Sequence, residues 1–101
     1  MIRHIVTWKL DNSYDYIEKP KLINEIQDKL MALKPLIAEL KSIDVYTNSQ
    51  EASQDNYDIL LDTTFDNFEN LAVYQKHHEH QKVVSFMKTL KLQRAAIDFE
   101  V

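Results

Sequence analysis

The chain has 101 residues, a formal charge of −4, and neither cysteine nor glycine. A single domain over residues 1–101 of this size buries roughly two thirds of its unfolded surface, so its core is modest and pairing with a second copy would add stability directly. There is no run of Lys or Arg to neutralise phosphates and no apolar stretch near the roughly 20 residues of a membrane span, and the missing Cys and Gly exclude disulfides, thiolate nucleophiles, Cys-based zinc sites, Rossmann fingerprints and P-loops.

The first element expected is a strand, Ile2 to Leu10. Ile2, His4, Val6, Trp8 and Leu10 alternate with Arg3, Ile5, Thr7 and Lys9, the period of a half-buried strand. It follows Met1 without a signal-peptide core, so the expected location is the cytoplasm. Pro20 then suits the first turn of a helix, along which Leu22, Ile26, Leu30, Leu33 and Ile37 recur at helical spacing. Pro35 is expected to end or kink that helix near Leu33 to Lys34. Ser42 to Asn48 reads as a second strand, residues 48–56 as a polar loop, and Tyr57 to Phe65 as a third strand. With no glycine available, Asn12, Asn48, Asn56 and Asn70 are the residues best able to take positive φ.

Asp66 followed by Glu69 resembles a capping box opening a helix with Phe68, Leu71, Ala72 and Tyr74. A further helical stretch carries Val83, Val84, Phe86, Met87 and Leu90, and a last strand runs from Arg94 to Val101. Strand, helix, two strands, helix, strand is the α+β, ferredoxin-like βαββαβ order, an antiparallel sheet with helices on one face. Parity puts Arg3, Thr7, Lys9, Asp44, Tyr46, Asp58, Asp62, Asp98 and Glu100 on the other face, around Ile5, Leu60 and Ala96. A face so mixed suits contact with its own copy, apolar at the centre and charged at the rim. On this reading Asp58, Asp62 and Asp98 are interface or surface carboxylates, on the opposite side of the sheet from His4.

These residues resemble the stress-responsive α/β-barrel (Dabb) proteins, whose first strand reads Met-x-x-His-hydrophobic. The likeness runs through "MIRHIVTWKL", "SIDV", "YDILLDTTF", "YQKHHEHQKVVSF" and "AAIDFEV", nearly the whole chain. It implies a ferredoxin-like monomer whose sheet pairs with a second copy in a dimeric α/β barrel, with a cavity between each sheet and its own helices. Two departures stand out. Ala38-Glu39 replaces a frequent Pro-Gly, which suggests a longer or differently turned helix end, and His78 replaces a proline between paired histidines, which weakens the helix break expected near residue 77.

Within that resemblance, Tyr-x-x-His-x-x-His falls on Tyr74, His77 and His80, and the strand histidine on His4. A plant polyketide cyclase of the family uses residues matching Tyr74 and His80 for acid/base work. Histidine titrates near neutral pH and removes acidic carbon-bound protons, and a tyrosine hydroxyl donates to an enolate oxygen. The expected catalytic set is therefore His80 and Tyr74 with His4 in support, and the expected pocket is His4, Val6, Trp8, Tyr74, His77, His80 and Phe86. Two plainer roles compete. His77 is expected to cap a helix C-terminus, where the dipole favours positive charge, and the Val83, Phe86, Met87, Leu90 stripe to be mainly core. His78 and Glu79 are expected to be solvated.

His4, His77 and His80 also admit a three-histidine metal reading. It is set aside because the pair lacks i, i+4 spacing and no carboxylate is placed behind a ligand, so neither metal nor cofactor is expected. Two functions remain open from sequence. One is a cofactor-free cyclase, isomerase or lyase acting on a small organic ligand. The other is a non-catalytic, stress-related homodimeric binding module; a monooxygenase of similar fold stands behind both. Neither nucleic acid nor membrane is an expected partner.

Overall fold

In a computed structural model that describes all 101 residues, the chain runs β1 (Ile2–Leu10), α1 (Glu18–Met31), β2 (Ser42–Thr47), β3 (Ile59–Phe65), α2 (Phe68–Lys76), α3 (His78–Met87) and β4 (Leu92–Glu100). The strands form one antiparallel sheet in the order β2-β3-β1-β4, the ferredoxin-like arrangement. Alternate residues of β1, from Ile2 to Leu10, are buried, while Arg3, Ile5, Thr7 and Lys9 between them are partly exposed. In β3, Ile59, Leu61, Thr63 and Phe65 are buried in the same way. The apolar ones among them join Ile26, Leu30, Leu33, Ile37, Leu40, Ile43, Leu71, Tyr74, Val83 and Met87 in the core between sheet and helices.

Local chemistry sets the element ends. The Asp15 carboxylate accepts the backbone N–H groups of Ile17 and Glu18, at 2.9 and 2.7 Å, satisfying donors that the first turn of α1 leaves free. Those same bonds lower its pKa below the usual carboxylate value. Pro20 lies within that first turn. α1 stops at Met31, slightly before the expected Leu33 to Lys34, because the Pro35 ring would clash with the carbonyl four residues back, which is that of Met31. Ala38 and Glu39 lie beyond the helix in turns, so the replaced Pro-Gly does not lengthen it. Leu33, Ile37 and Leu40 still reach the core from these turns, held by bonds such as Ile37 N–H to Leu33 O at 3.2 Å.

Several expectations are corrected. No residue has positive φ, so none of the four asparagines substitutes for glycine in that way. The cap of α2 is Asn67, whose Oδ1 accepts the Asn70 N–H at 2.8 Å, while Asp66 pairs with Lys41 instead. Asp58 is buried: it accepts the Leu10 N–H at 2.8 Å and lies 3.5 Å from Lys19 Nζ, tying the β2–β3 loop to the end of β1.

The largest correction concerns β4. Val6 pairs with Ala96, His4 with Asp98 and Ile2 with Glu100, so Ala96, Asp98 and Glu100 share the helix-side face with His4. Ile97, directly across from Ile5, faces the other way. The strand misleads because its apolar alternation, Ala95, Ile97 and Phe99, points away from the helices. The outer face is thus more apolar than the sequence suggested. Ile97 is 61% exposed and Tyr46 57%, with Ile5, Leu60 and Phe99 between and around them. Arg3 spans this face, pairing with Asp62 and lying over the Phe99 ring at 5.7 Å.

Candidate functional site

The chemistry gathers where the helical stretch after β3 breaks. His77 has φ −62° and ψ 138°, an extended conformation that ends α2 and starts α3. The break forms although His78 stands where proline is frequent. His77 Nδ1 accepts the Glu79 N–H at 3.0 Å, so the ring works as the N-cap of α3. His77 caps the C-terminus of α2 as expected, through its backbone N–H on Tyr74 O at 3.1 Å, but its ring serves the next helix instead: a ring nitrogen that accepts is unprotonated, as suits the positive end of a helix dipole.

The same break leaves the last carbonyls of α2 without helical partners. Gln75 O accepts from His80 Nδ1 at 3.0 Å and from Gln81 Nε2 at 2.6 Å. A carbonyl oxygen only accepts, so Nδ1 of His80 carries the hydrogen. In the neutral ring Nε2 then holds the free lone pair. Burial lowers the His80 pKa from its ordinary 6.5, opposed by the Gln75 bond and reinforced by the neighbouring His4, Arg94 and His77, since a second positive charge beside any of them is disfavoured.

His80 lines a cavity of about 340 Å³ between the sheet and α3. Strand β1 contributes His4, Val6 and Trp8, and α3 adds Val83, Val84 and Met87. Gln75, Lys88 and Arg94 supply the other polar groups. The volume lies at the low end of the roughly 300–1,000 Å³ that small-molecule sites occupy, and the lining, mainly apolar with a few polar groups, has their usual composition.

His4 is 3% exposed. Its Nδ1–H donates to the Asp98 carboxylate, which stands directly across the β1–β4 pair. Parity had placed Asp98 on the far side of the sheet; it is instead the group that orients His4. A carboxylate behind a histidine fixes the tautomer and steadies any positive charge on the ring.

Three expected pocket residues do not reach the wall. Tyr74 is fully buried one layer back, its ring tilted 4.4 Å from His80, 5.0 Å from Phe65 and 6.3 Å from His4 between centroids. Its hydroxyl has no hydrogen-bond partner, and burial pushes its pKa far above the ordinary value. His77 is occupied as a cap. Phe86 turns toward α1, where Lys29 Nζ lies 4.8 Å from its ring centre. The residues sequence reasoning missed are Asp98, Arg94, Lys88 and Gln75. The correct β4 parity alone would have found the first two, since Arg94 pairs with Trp8 as Asp98 pairs with His4. No three His, Asp or Glu side chains converge as a metal-binding group.

The profile of the family described as Stress responsive A/B Barrel Domain matches residues 2–101. A dimeric protein of unknown function and ferredoxin-like fold from Bacteroides fragilis NCTC 9343 superposes with a TM-score of 0.89 at 28% identity, over 99% of this chain and 95% of that one. A dimeric ferredoxin-like protein of unknown function from Thermobifida fusca YX does so with a TM-score of 0.76 at 23% identity, over 99% and 90%. The hydroxynitrile lyase of Passiflora edulis gives a TM-score of 0.79 at 14% identity, over 99% and 92%, a likeness of fold. No curated protein sequence matches this chain.

Proposed function

The chain belongs to the stress responsive A/B barrel domain family, and from that premise we propose that it is a cytoplasmic homodimer that binds a small carbonyl compound in its cavity and acts on it by cofactor-free acid/base chemistry. The observation that carries this reading is His80: a cavity-lining imidazole of lowered pKa, with Nδ1–H fixed on Gln75 O and Nε2 left as the lone pair. A neutral, oriented imidazole is a general base at neutral pH.

The step is balanced within the site. His80 Nε2 takes a proton from the carbon beside the ligand's carbonyl, and the C–H electron pair moves onto the carbonyl oxygen as an enolate. His4, held by Asp98 in the cavity wall, is the group placed to meet that oxygen, donating Nε2–H when its ring carries both protons. Return of the His80 proton to another carbon completes an isomerisation. Its delivery to an alkoxide, formed when the enolate attacks a second carbonyl, completes a cyclisation. Tyr74 is a positioning residue in this scheme, its ring backing His80. The hydroxynitrile lyase of Passiflora edulis lends the same fold to a lyase. A binding module without chemistry would use the same cavity, but it has no need of a free Nε2.

The homodimer reading rests on the outer face of the sheet and on two of the similar structures, which are dimeric. The test of the site is ligand-induced thermal stabilisation by small keto acids. Wild type should be stabilised, and His80→Ala should lose the effect while keeping its unliganded melting temperature. Equal stabilisation of both proteins would remove His80 from the site.

A further inference from the structure

We propose that the cavity selects anions, its ligand being a small amphipathic carboxylate with its apolar body against Trp8 and Met87 and its carboxylate at a rim formed by Lys88 and Arg94. This rests on the reading that the cavity holds a ligand, and adds the class of that ligand. Among the residues lining the cavity there is no Asp or Glu, whereas Lys88 and Arg94 both carry fixed positive charge. Asp98, the carboxylate across from His4, is engaged with that ring, and Glu79, beside His80, with Lys82.

Neither rim cation is spent on a neighbour. The ion pairs of the chain are Arg3–Asp62, His4–Asp98, Lys19–Asp58, Lys41–Asp66 and Lys82–Glu79, and none involves Lys88 or Arg94. In a chain with net charge −4, two unpaired cations at one cavity mouth are a local reversal of sign. Arg94 pairs with Trp8 across β1 and β4, so guanidinium and indole share one face, and Lys88 is the C-cap of α3. A planar guanidinium matches a carboxylate through two parallel hydrogen bonds, and an ammonium beside it adds a point charge. The apolar lining in turn takes a ring or branched chain. Because the Arg94 charge is felt at His80, a bound carboxylate would offset it and raise the His80 pKa toward 6.5.

Trp8 is the only tryptophan and lines the cavity, so its fluorescence reports occupancy. The probes are phenylacetate and phenylacetamide, matched in shape and different in charge. The wild-type protein should bind phenylacetate about tenfold more tightly, with the gap narrowing as salt is added. Arg94→Gln combined with Lys88→Gln should remove the gap and leave the amide's affinity unchanged. Both positions are exposed, so the fold should persist, as the unliganded melting temperature would verify. Amide binding equal to or tighter than carboxylate binding overturns the anion preference while leaving a ligand cavity in place. Trp8 fluorescence unmoved by either probe overturns both.

Discussion

Asp98 stands directly across β1 and β4 from His4, and its carboxylate accepts the imidazole Nδ1–H. His4 is nearly inaccessible to solvent, so no water can readily replace that acceptor. Asp98→Ala should therefore cost about 1–3 kcal/mol, the penalty for leaving a buried donor unpaired. Asp98→Asn, which keeps an acceptor oxygen, should cost less. Urea unfolding at neutral pH compares the two, and an Asp98→Ala protein as stable as wild type would remove the pairing from the account.

The histidine in α3 makes stability depend on pH in a definite direction. Its folded pKa is below the ordinary 6.5, so between the two values the unfolded chain binds more protons than the folded one. The stability in question is fully present above about pH 6.5 and is lost as pH falls through that window. Denaturant titrations at stepped pH should show this decline, and His80→Gln should flatten it. A wild type and variant with parallel pH profiles would mean the His80 pKa is not lowered.

Much of the fold was legible because β1, α1 and β3 carry clean periodicities that bury one face. β4 was not. Its apolar residues, Ala95, Ile97 and Phe99, look outward, against the rule that apolar alternation marks the core, and the inverted parity hid both Asp98 and Arg94. Ion pairing and capping were equally hidden: nothing in "YQKHHEHQ" says that His77 accepts from Glu79 N–H or that Gln75 O fixes the His80 tautomer. These depend on where the helix breaks, and the residue at the break decides it through backbone geometry.

The outward apolar residues give a direct test of the homodimer. Ile97 is 61% exposed in the single chain, so Ile97→Asp should barely affect the monomer's fold. Buried in a sheet-to-sheet interface, the same charge would be costly. Light scattering should find wild type at twice the 12.0 kDa chain mass and Ile97→Asp at the chain mass. A wild-type protein at the chain mass, or a variant that stays paired, would contradict dimerisation through this face.

Tyr74 separates a positioning role from an acid role. Its hydroxyl is buried without a partner, a situation that costs about 1–3 kcal/mol. Tyr74→Phe should be as stable as wild type or up to about 1 kcal/mol more so, and should keep ligand-induced stabilisation. A clear loss of thermal stability would show that the hydroxyl has a partner after all and would return Tyr74 to the catalytic pair.

The most direct measurement is proton exchange from a bound carbonyl compound. In deuterated buffer, NMR should show this protein accelerating loss of the carbon-bound protons beside the carbonyl of phenylpyruvate, above the buffer background. The rate should rise with pH through the lowered pKa of His80, level off at neutral pH, and fall to background in His80→Gln. Exchange no faster than in buffer alone, or equal acceleration by His80→Gln, would contradict the assignment of His80 as the base.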